Sequence, residues 1–485
     1  MDGSLPQVTW GPMLPFLVIT GTGLLVLVLD PLMRPERRDR LPVLSLAGVM
    51  TAAAILALGG GGSELAFGGM LSTDAFARFF NLLFLLVAGL TLLISIAYVR
   101  RAGLEHGEYS ALLLFSTLGM MIMASSLDLM TIFLGLETLS ISLYILAGFL
   151  RDQIRSNEAA LKYLLLGAFA SGFVLYGIAL VYGATGSINL VRVAQALALG
   201  QVQSPMLLTI GMGLLIIGFG FKVAAVPFHM WAPDVYEGAP TSVTAFMIVG
   251  TKAAAFAAFL RILMTALPAL LPNWSGALWV LAILTMTVGN VVAIAQTNIK
   301  RMLAYSSIAH AGYILVALVT GAKLGSASIL FYLLAYSFMN LGAFAVIVAL
   351  ARREEERLVI DDYAGLGLRR PVRGAAMALF MFSLAGVPPT AGFMGKLYVF
   401  SAAIQSGYVG LAVIGVVNSV ISAFYYLRIT VVMYMASGSG EPLPERVAPT
   451  LALAILISAA GTLLLGLFPS RFLEVALDSV AALLG

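Results

Sequence analysis

Long apolar stretches recur along the chain from Gly11 to Pro469, separated by short polar breaks. A helix needs roughly 20 apolar residues to cross a bilayer, so each stretch predicts one membrane-spanning helix. About fourteen are predicted, near residues 11–30, 41–60, 76–99, 109–126, 128–150, 158–183, 205–229, 240–263, 276–296, 300–320, 326–350, 374–404, 408–435 and 447–469. The pattern therefore predicts an all-α polytopic membrane protein, with a single transmembrane domain over residues 1–485.

Two of the predicted spans contain proline where a membrane helix is normally continuous. The seventh carries GFGFKVAAVPFHMW, and the twelfth carries SLAGVPPTAGFMGKLYVF. Proline leaves backbone carbonyls without helical partners, which a bilayer tolerates only where protein or water supplies new ones. Broken helices at corresponding places in two halves of a chain are typical of a transporter's site.

The spacing of polar residues supports two such halves. Glu137 and Lys222 are 85 positions apart, and His310 and Lys396 are 86 apart. These intervals predict a duplicated five-helix unit, because the two pairs are offset by 173 to 174 positions. The predicted parts are spans 1–3 at 11–99, a first repeat at about 109–263, a second at about 276–435, and a last span at 447–469. Two matched intervals also arise by chance, so the duplication is a hypothesis.

Composition excludes several classes of protein. Hydrophobic residues make up 61% of the chain and charged residues only 10%, against roughly 25% charged in soluble domains, which excludes a water-soluble fold. The arginines form short clusters between spans, so a nucleic-acid partner is not predicted. Cysteine is absent, which excludes disulfides, thiolate-bound iron–sulfur clusters and c-type haem attachment in this chain.

Basic residues are distributed unevenly between the two membrane faces. If the amino terminus lies outside the cytoplasm, the cytoplasmic side receives seventeen of them: Arg34, Arg37, Arg38, Arg40, Arg100, Arg101, Arg151, Arg155, Lys300, Arg301, Arg352, Arg353, Arg357, Arg369, Arg370, Arg373 and Arg446. The other side receives Arg78, Arg192, Arg261, Lys323 and Arg471. The positive-inside rule favours this orientation, with both termini outside the cytoplasm. The charged stretch 353–373 is interpreted as a cytoplasmic connection that docks on a partner, since it is too short to fold alone.

Four of the six lysines, Lys162, Lys222, Lys252 and Lys396, fall inside predicted spans. A lysine at the centre of a membrane helix costs about 2.5–3.5 kcal/mol, so each one predicts a functional site. Lys162 stands only about five residues from the start of its span. Its ammonium therefore has an alternative, which is to reach the membrane surface.

Glu137 is the only carboxylate placed as deeply as these lysines. A purely structural ion pair accounts for one lysine at most, and the others then need water, neutral states or mobile protons. His310 is the only histidine well inside a span, and it is either a relay residue or a satisfied hydrogen-bond partner. His229, at a span end, is interpreted as structural, and no metal site is predicted because no further ligands stand at suitable spacing.

Four segments resemble a known family. FKVAAVPFHMWAPDVYEGAPTSVTAFMIVGTKAAAF, DDYAGLGLRRP, YLLAYSFMNLGAFAVI and GVPPTAGFMGK are similar to subunit N of bacterial proton-translocating NADH-quinone oxidoreductase, respiratory complex I. The similarity runs from about Asp128 to Lys396. It implies fourteen helices that include two inverted five-helix repeats, each with one broken helix. Lysine at position 396 and the short end after Pro469 favour subunit N over the related subunits M and L.

The resemblance also implies roles for the buried residues. Glu137 and Lys222 would form a charge pair, Lys252 a central site and Lys396 an exit-side site, and Lys162 matches a further family lysine. These five residues and His310 would make a proton relay coupled to quinone reduction elsewhere in the complex.

Cofactors and partners follow from the same resemblance. NADH, FMN, iron–sulfur clusters and quinone would belong to other subunits, and the partners would be membrane subunits that include related antiporter-like chains. The expected location is the bacterial inner membrane. The alternatives are a subunit of a sodium/proton antiporter, a solute permease and a non-transporting assembly scaffold.

Overall fold

The structure is a computed structural model and describes residues 10–59, 64–103, 106–351, 357–437 and 446–484. Within these ranges, 13 helices are long and apolar enough to cross a membrane. Two shorter helices, Pro371–Ala385 and Ala391–Gln405, follow each other across a proline break and together make one more span. The predicted all-α fold with about fourteen spans is therefore confirmed. Arg352 and Arg353, which entered the count of basic residues, lie outside the described residues.

The spans are numbered here 1 to 14 in chain order. Spans 1 to 6 are Leu14–Leu32, Leu41–Leu58, Ala75–Ala102, Gly107–Ser125, Leu129–Ala147 and Ile154–Thr185. Span 7 consists of Pro205–Val223 and Trp231–Gly238, and span 8 is Thr241–Ala266. Spans 9 to 11 are Leu271–Ile294, Ile299–Val319 and Lys323–Leu350. Span 12 consists of Pro371–Ala385 and Ala391–Gln405, and spans 13 and 14 are Val409–Met435 and Pro449–Leu467.

Spans 4–8 and 9–13 form two sets of five, and the fourth member of each set is the broken helix. Because five is odd, the chain enters the second set from the opposite membrane face, so the second set is inverted relative to the first. Glycines allow close contact at equivalent helix pairs: a Cβ on Gly119 would lie 2.5 Å from Leu139 N between spans 4 and 5, and one on Gly289 would lie 2.6 Å from Ala309 N between spans 9 and 10. Small residues at such crossings are typical of membrane helix packing.

The centre of the fold is formed by spans 8, 10 and 11. Their apolar windows are 100%, 94% and 89% buried inside the chain, whereas those of spans 1 and 2 are only 33% and 22% buried. Span 8 contains two π-helical segments, Met247–Thr251 and Ile262–Ala266, and Lys252 follows the first directly. Such π segments occur often at functional sites, because they turn side chains away from the regular helical direction.

Three elements were not predicted from the sequence. A two-stranded hairpin of β1 (Leu65–Ala66) and β2 (Leu71–Ser72) precedes span 3, and a short helix, Leu190–Ala198, precedes span 7. The chain after span 14 forms another helix, Pro469–Leu484. This last helix is amphipathic: its buried residues include Ala476, Val480 and Leu483, and its charged residues are Arg471, Glu474 and Asp478.

Candidate functional site

The first break places Lys222 at the carboxyl end of a helix. The first half of span 7 ends at Val223, and Ala224 adopts the left-handed conformation with φ of 59°. The indole of Trp231, at the start of the second half, donates from Nε1 to the carbonyl of Phe221 at 3.0 Å. The same carbonyl also accepts from the backbone N–H of Ala224 at 3.0 Å, so the indole adds a second hydrogen bond that ties the two halves of span 7 together.

Lys222 is 4% exposed and contacts a hydroxyl and two aromatic rings. Its Nζ donates to Ser140 Oγ on span 5 at 2.8 Å. The ring centres of Tyr144 and Tyr163 lie 5.8 and 6.0 Å from the same nitrogen. Both rings are within the range at which an aromatic face attracts a cation.

Glu137 stands one helical turn before Ser140 on span 5 and is only partly buried in this chain. Its Oε1 is inaccessible and has no hydrogen-bond partner in the described part of the chain. No ion pair within 4.0 Å joins Glu137 to Lys222 there. The two residues implied as a charge pair are therefore neighbours without direct contact, and Ser140 is the group that Lys222 touches.

Lys252 lies in the centre of the fold and is 1% exposed. Its Nζ donates to both the carbonyl oxygen and the hydroxyl of Ser307 on span 10, the hydroxyl at 2.9 Å. The site predicted as central therefore lies between spans 8 and 10. The carbonyl and hydroxyl dipoles of Ser307 compensate the charge of the Lys252 ammonium.

Lys396 lies beyond the second break and turns back toward it. The first half of span 12 ends at Ala385, and Gly386 follows with φ of 91°. The Lys396 ammonium donates to the carbonyls of Leu384 at 3.2 Å and Ala385 at 2.9 Å, and to Ser419 Oγ on span 13 at 2.8 Å. A cation at a helix carboxyl end is favoured by the helix dipole, so this break supplies much of the lysine's compensation.

His310 is buried on span 10 and is hydrogen-bonded at both ring nitrogens. Nδ1 lies 2.7 Å from the hydroxyl of Tyr332, and Nε2 lies 3.0 Å from that of Tyr426. The hydroxyl of Tyr426 also bonds Ser306, the neighbour of the serine that holds Lys252. His310 is thus a satisfied hydrogen-bond partner, and it is also connected to the surroundings of Lys252.

A second polar group links this region to Lys396. Tyr425 donates to Asn290 Oδ1 at 2.9 Å, and Asn290 Nδ2 donates to the hydroxyl of Tyr313 at 3.0 Å. The ring of Tyr313 in turn lies 5.0 Å from Lys396 Nζ. Sequence reasoning missed Asn290, although a carboxamide within an apolar span is a signal that could have identified it.

Lys162 lies apart from these three lysines. Its side chain is 39% exposed, and Nζ forms ion pairs with Glu158 at 2.6 Å and Asp234 at 2.7 Å. Arg301 joins the same cluster through Asp234 at 2.7 Å and Glu237 at 2.9 Å. The Lys162 ammonium is therefore partly exposed and paired with carboxylates, unlike the three buried lysines described above.

Two buried cations were counted as ordinary loop charges in the sequence. Lys300 is 1% exposed and donates to the carbonyl of Ala239 at 2.7 Å. Arg261 is also 1% exposed, and it binds both carboxylate oxygens of Asp74 at 2.8 Å. Their burial could not be predicted from the sequence, because charged residues at the ends of spans normally belong to exposed loops.

One group of metal-binding residue types also forms in the described part of the chain. Ligand atoms of Asp30, His106 and Glu108 lie within 4.8 Å of one another near the ends of spans 1 and 4. Arg38 Nε is 3.4 Å from Asp30 Oδ1, so a cation already faces this group.

Comparisons with known proteins identify the family of the chain. Residues 126–422 match the family described as NADH:quinone oxidoreductase/Mrp antiporter, transmembrane. The chain is 52% identical over 467 residues to NADH-quinone oxidoreductase subunit N of Trichlorobacter lovleyi, and the match covers 96% of each chain. The chain belongs to the subunit N family. A further member from Chloroflexus aggregans is 46% identical, with 99% of each chain covered.

Solved structures give the same relationship. This subunit N family member superposes on a chain of respiratory complex I from Thermus thermophilus with a TM-score of 0.80 and 37% identity, covering 95% and 98% of the two chains. A chain of the Mrp complex from Dietzia is 22% identical, with a TM-score of 0.82 and 98% of each chain covered. The Mrp likeness shows a shared fold.

Proposed function

We propose that this chain is a proton-translocating membrane subunit of an NADH-quinone oxidoreductase. The subunit N relatives support the assignment through their identity over nearly the whole chain. Electrons pass from NADH to quinone in other subunits, which hold the FMN, iron–sulfur clusters and quinone. The partners are membrane subunits that include related antiporter-like chains, and the complex lies in the bacterial inner membrane. Both termini of this chain face away from the cytoplasm.

The observation that carries the proposal is the manner in which three lysines are buried. Lys222, Lys252 and Lys396 are each at most 4% exposed, yet none has an ion pair within the described residues. Hydroxyls, carbonyls and aromatic faces compensate these charges instead. A lysine held only by dipoles gains or loses a proton at less cost than one locked to a carboxylate, because no opposite charge is left unpaired.

The relay in this proposal follows the order of the buried residues. Glu137 and Lys222 form its first part, Lys252 its central part, and Lys396 its last part. His310 is bonded through Tyr426 to Ser306, the neighbour of the serine that holds Lys252, and its ring lies 5.7 Å from that of Tyr313, which faces Lys396. Lys162 is kept as a surface residue outside the main sequence of transfers. Quinone reduction drives the relay by changing the charge near Glu137, whose side chain is only partly buried within this chain.

The test replaces single residues within the assembled complex. Lys222→Ala is expected to reduce proton pumping per NADH oxidised at least about tenfold, the size of effect typical of one proton-transfer group. Glu137→Gln is expected to act similarly, and Glu137→Asp to keep partial pumping. Lys323→Ala is the matched control, because Lys323 is exposed at the start of span 11.

Pumping is measured by fluorescence quenching in inverted membrane vesicles, and retention of the chain by purification of the complex. Wild-type pumping in an assembled Lys222→Ala complex contradicts the proposal. Sodium-dependent transport by the chain without quinone-reducing partners supports a sodium/proton antiporter subunit instead.

A further inference from the structure

Each of the three buried lysines of the proposed relay donates to a serine hydroxyl on another span. Lys222 reaches Ser140 at 2.8 Å, from span 7 to span 5. Lys252 reaches Ser307 at 2.9 Å, from span 8 to span 10. The same contact therefore occurs at two sites on different helix pairs.

The third contact has the same chemistry. Lys396 reaches Ser419 at 2.8 Å, from span 12 to span 13. Its other two partners are backbone carbonyls of Leu384 and Ala385. The three N–H groups of this ammonium are thus matched by three acceptors, one of which is a hydroxyl.

Serine differs from the other partners in what it offers to the two forms of lysine. An ammonium has three N–H donors and no acceptor, whereas a neutral amine has a lone pair that accepts a hydrogen bond. A backbone carbonyl serves only as an acceptor. A hydroxyl accepts from the ammonium and, after rotating, donates to the amine.

The present hydroxyl directions suit the charged form. Ser140 Oγ donates to the carbonyl of Leu136 at 2.5 Å, and Ser307 Oγ donates to that of Ala304 at 2.7 Å. Their protons point along their own helices, so their lone pairs face the lysines. Loss of a proton from the lysine leaves a lone pair that the rotated hydroxyl can satisfy.

We propose that Ser140, Ser307 and Ser419 are positioning residues that hold the three lysines in both protonation states. The proposal rests on the proposed function, because it assigns these hydroxyls to the same proton relay. In the charged state each serine accepts a hydrogen bond from the ammonium. In the neutral state the serine hydroxyl donates to the amine. Ser140 and Ser307 then no longer donate to the carbonyls of their own helices.

Other groups also face the lysines and remain in place when a serine is changed. Glu137 and Tyr144 on span 5 and Tyr163 on span 6 face Lys222. His310 on span 10 lies close enough to interact with both Lys252 and Lys396.

Two tyrosines complete the surroundings. Tyr313 on span 10 faces Lys396, and Tyr336 on span 11 lies beside Ser307. Removal of one serine hydroxyl subtracts an acceptor from the ammonium without changing these groups. The ammonium loses a charge-assisted hydrogen bond and the neutral amine loses a weaker one, so the protonated lysine is destabilised more and the pH profile of pumping moves toward acid.

The experiment uses the chain within its complete complex, with alanine at Ser140 and at Ser419. The difference between a hydrogen bond to a charged group and one to a neutral group is worth roughly tenfold in an equilibrium constant, so each pH profile is expected to move about one unit toward acid. Ser419→Thr keeps the hydroxyl at a partly exposed position and is expected to restore the wild-type profile.

The matched control is Ser142→Ala. Ser142 lies on the same helix as Ser140, and its hydroxyl donates to Thr138 O at 2.9 Å. Its profile is expected to be unchanged. Purification of the complex and its NADH oxidation with an artificial acceptor show that each variant is assembled.

Three outcomes overturn the inference. If Lys222→Ala loses pumping while Ser140→Ala and Ser419→Ala keep the wild-type rate and profile, the serines have no such role and the proposed function stands. If the alanine variants lose pumping equally at every pH and Ser419→Thr does not restore it, the serines are only structural. If Lys222→Ala pumps normally, the proposed function fails, and the role of the serines fails with it.

Discussion

The ammonium of Lys396 binds the carbonyl of Ala385, the last residue of the helix that precedes the second break, at 2.9 Å. Gly386 follows Ala385 directly and begins the break, and its φ of 91° is a conformation that favours glycine. A Cβ at this position would lie 3.1 Å from Lys396 Cδ and 3.3 Å from its Nζ. The backbone turn and the lysine position therefore depend on the same missing side chain.

Gly386→Ala is expected to displace Lys396 and to reduce pumping several-fold. It also carries a conformational cost of about 1–2 kcal/mol, because an L-residue is forced into the left-handed region. Gly407→Ala is the matched control, since Gly407 has φ of 84° and no atom within 4 Å of its missing Cβ. Equal loss of pumping in both variants would show that backbone strain alone, and not the lysine, is responsible.

Trp231→Phe is expected to loosen the first break. The variant keeps an aromatic ring to stack on Tyr163, whose ring centre lies 4.7 Å away, but it removes one of the two donors to the Phe221 carbonyl, the other being Ala224 N–H. A hydrogen bond of this kind contributes about 0.5–1.5 kcal/mol, so both thermal stability and pumping should fall. Trp274→Phe removes a similar bond, to Leu267 O, at the start of span 9. It should lower stability and leave pumping per NADH unchanged, and the comparison is made on purified complexes.

The buried pair of Arg261 and Asp74 is expected to hold span 8 against the start of span 3. Arg261→Ala leaves a buried carboxylate unpaired and should cost about 3–5 kcal/mol. The double variant Arg261→Met with Asp74→Leu should lose less, because neither charge remains. Thermal unfolding of the solubilised complex measures both. A larger loss in the double variant than in the single one would contradict this account.

The same pair predicts how stability depends on pH. Burial raises the pKa of Asp74, but the charge and hydrogen bonds of Arg261 outweigh it, and the pKa is lowered overall. The stabilisation is therefore complete above the unfolded value of about 3.9, and it is lost as pH falls through the lower folded value. Asp74→Asn should remove this acid dependence, which unfolding curves recorded below neutral pH will test.

Lys162→Ala is expected to leave pumping within about twofold of wild type. Its ion pairs are partly exposed, and exposed pairs are worth only about 0–1 kcal/mol. The direct comparison is with Lys222→Ala under identical conditions. An equal loss of pumping in the two variants would show that Lys162 takes part in the main relay.

Much of the fold was predictable because a bilayer imposes simple rules. Spans must be apolar and long, and a proline inside one must interrupt its hydrogen bonding, so Pro227 and the Pro388–Pro389 pair located both breaks. The amphipathic helix Pro469–Leu484 was not predicted, because the sequence pattern of apolar stretches predicts only spans and this helix is too polar to be one. It forms at the carboxyl end of the described chain, where packing against spans 3 and 11 favours a helix.

The site was predictable in residue type but not in contacts. Lys222, Lys252 and Lys396 were identified because burying a charge is costly, and a lysine inside an apolar stretch can be recognised from the sequence alone. Their serine partners were not, because serine is common in membrane helices and only the rotation of each span decides which hydroxyl meets a lysine. Glu137 shows the same limit: the family resemblance implied a charge pair with Lys222, and one helical turn separates Glu137 from Ser140, the residue that Lys222 touches.

The inverted order of the two repeats has a consequence for the level of the lysines in the membrane. Lys222 precedes its break, whereas Lys396 follows its own. Spans 7 and 12 run in opposite directions, since five crossings separate them, so the two reversals cancel. Along the backbone, Lys222 and Lys396 therefore stand on the same membrane side of their breaks. In the proposed relay, a proton that passes from one to the other would travel parallel to the membrane plane, and it would pass between the two compartments where it enters or leaves this lateral row.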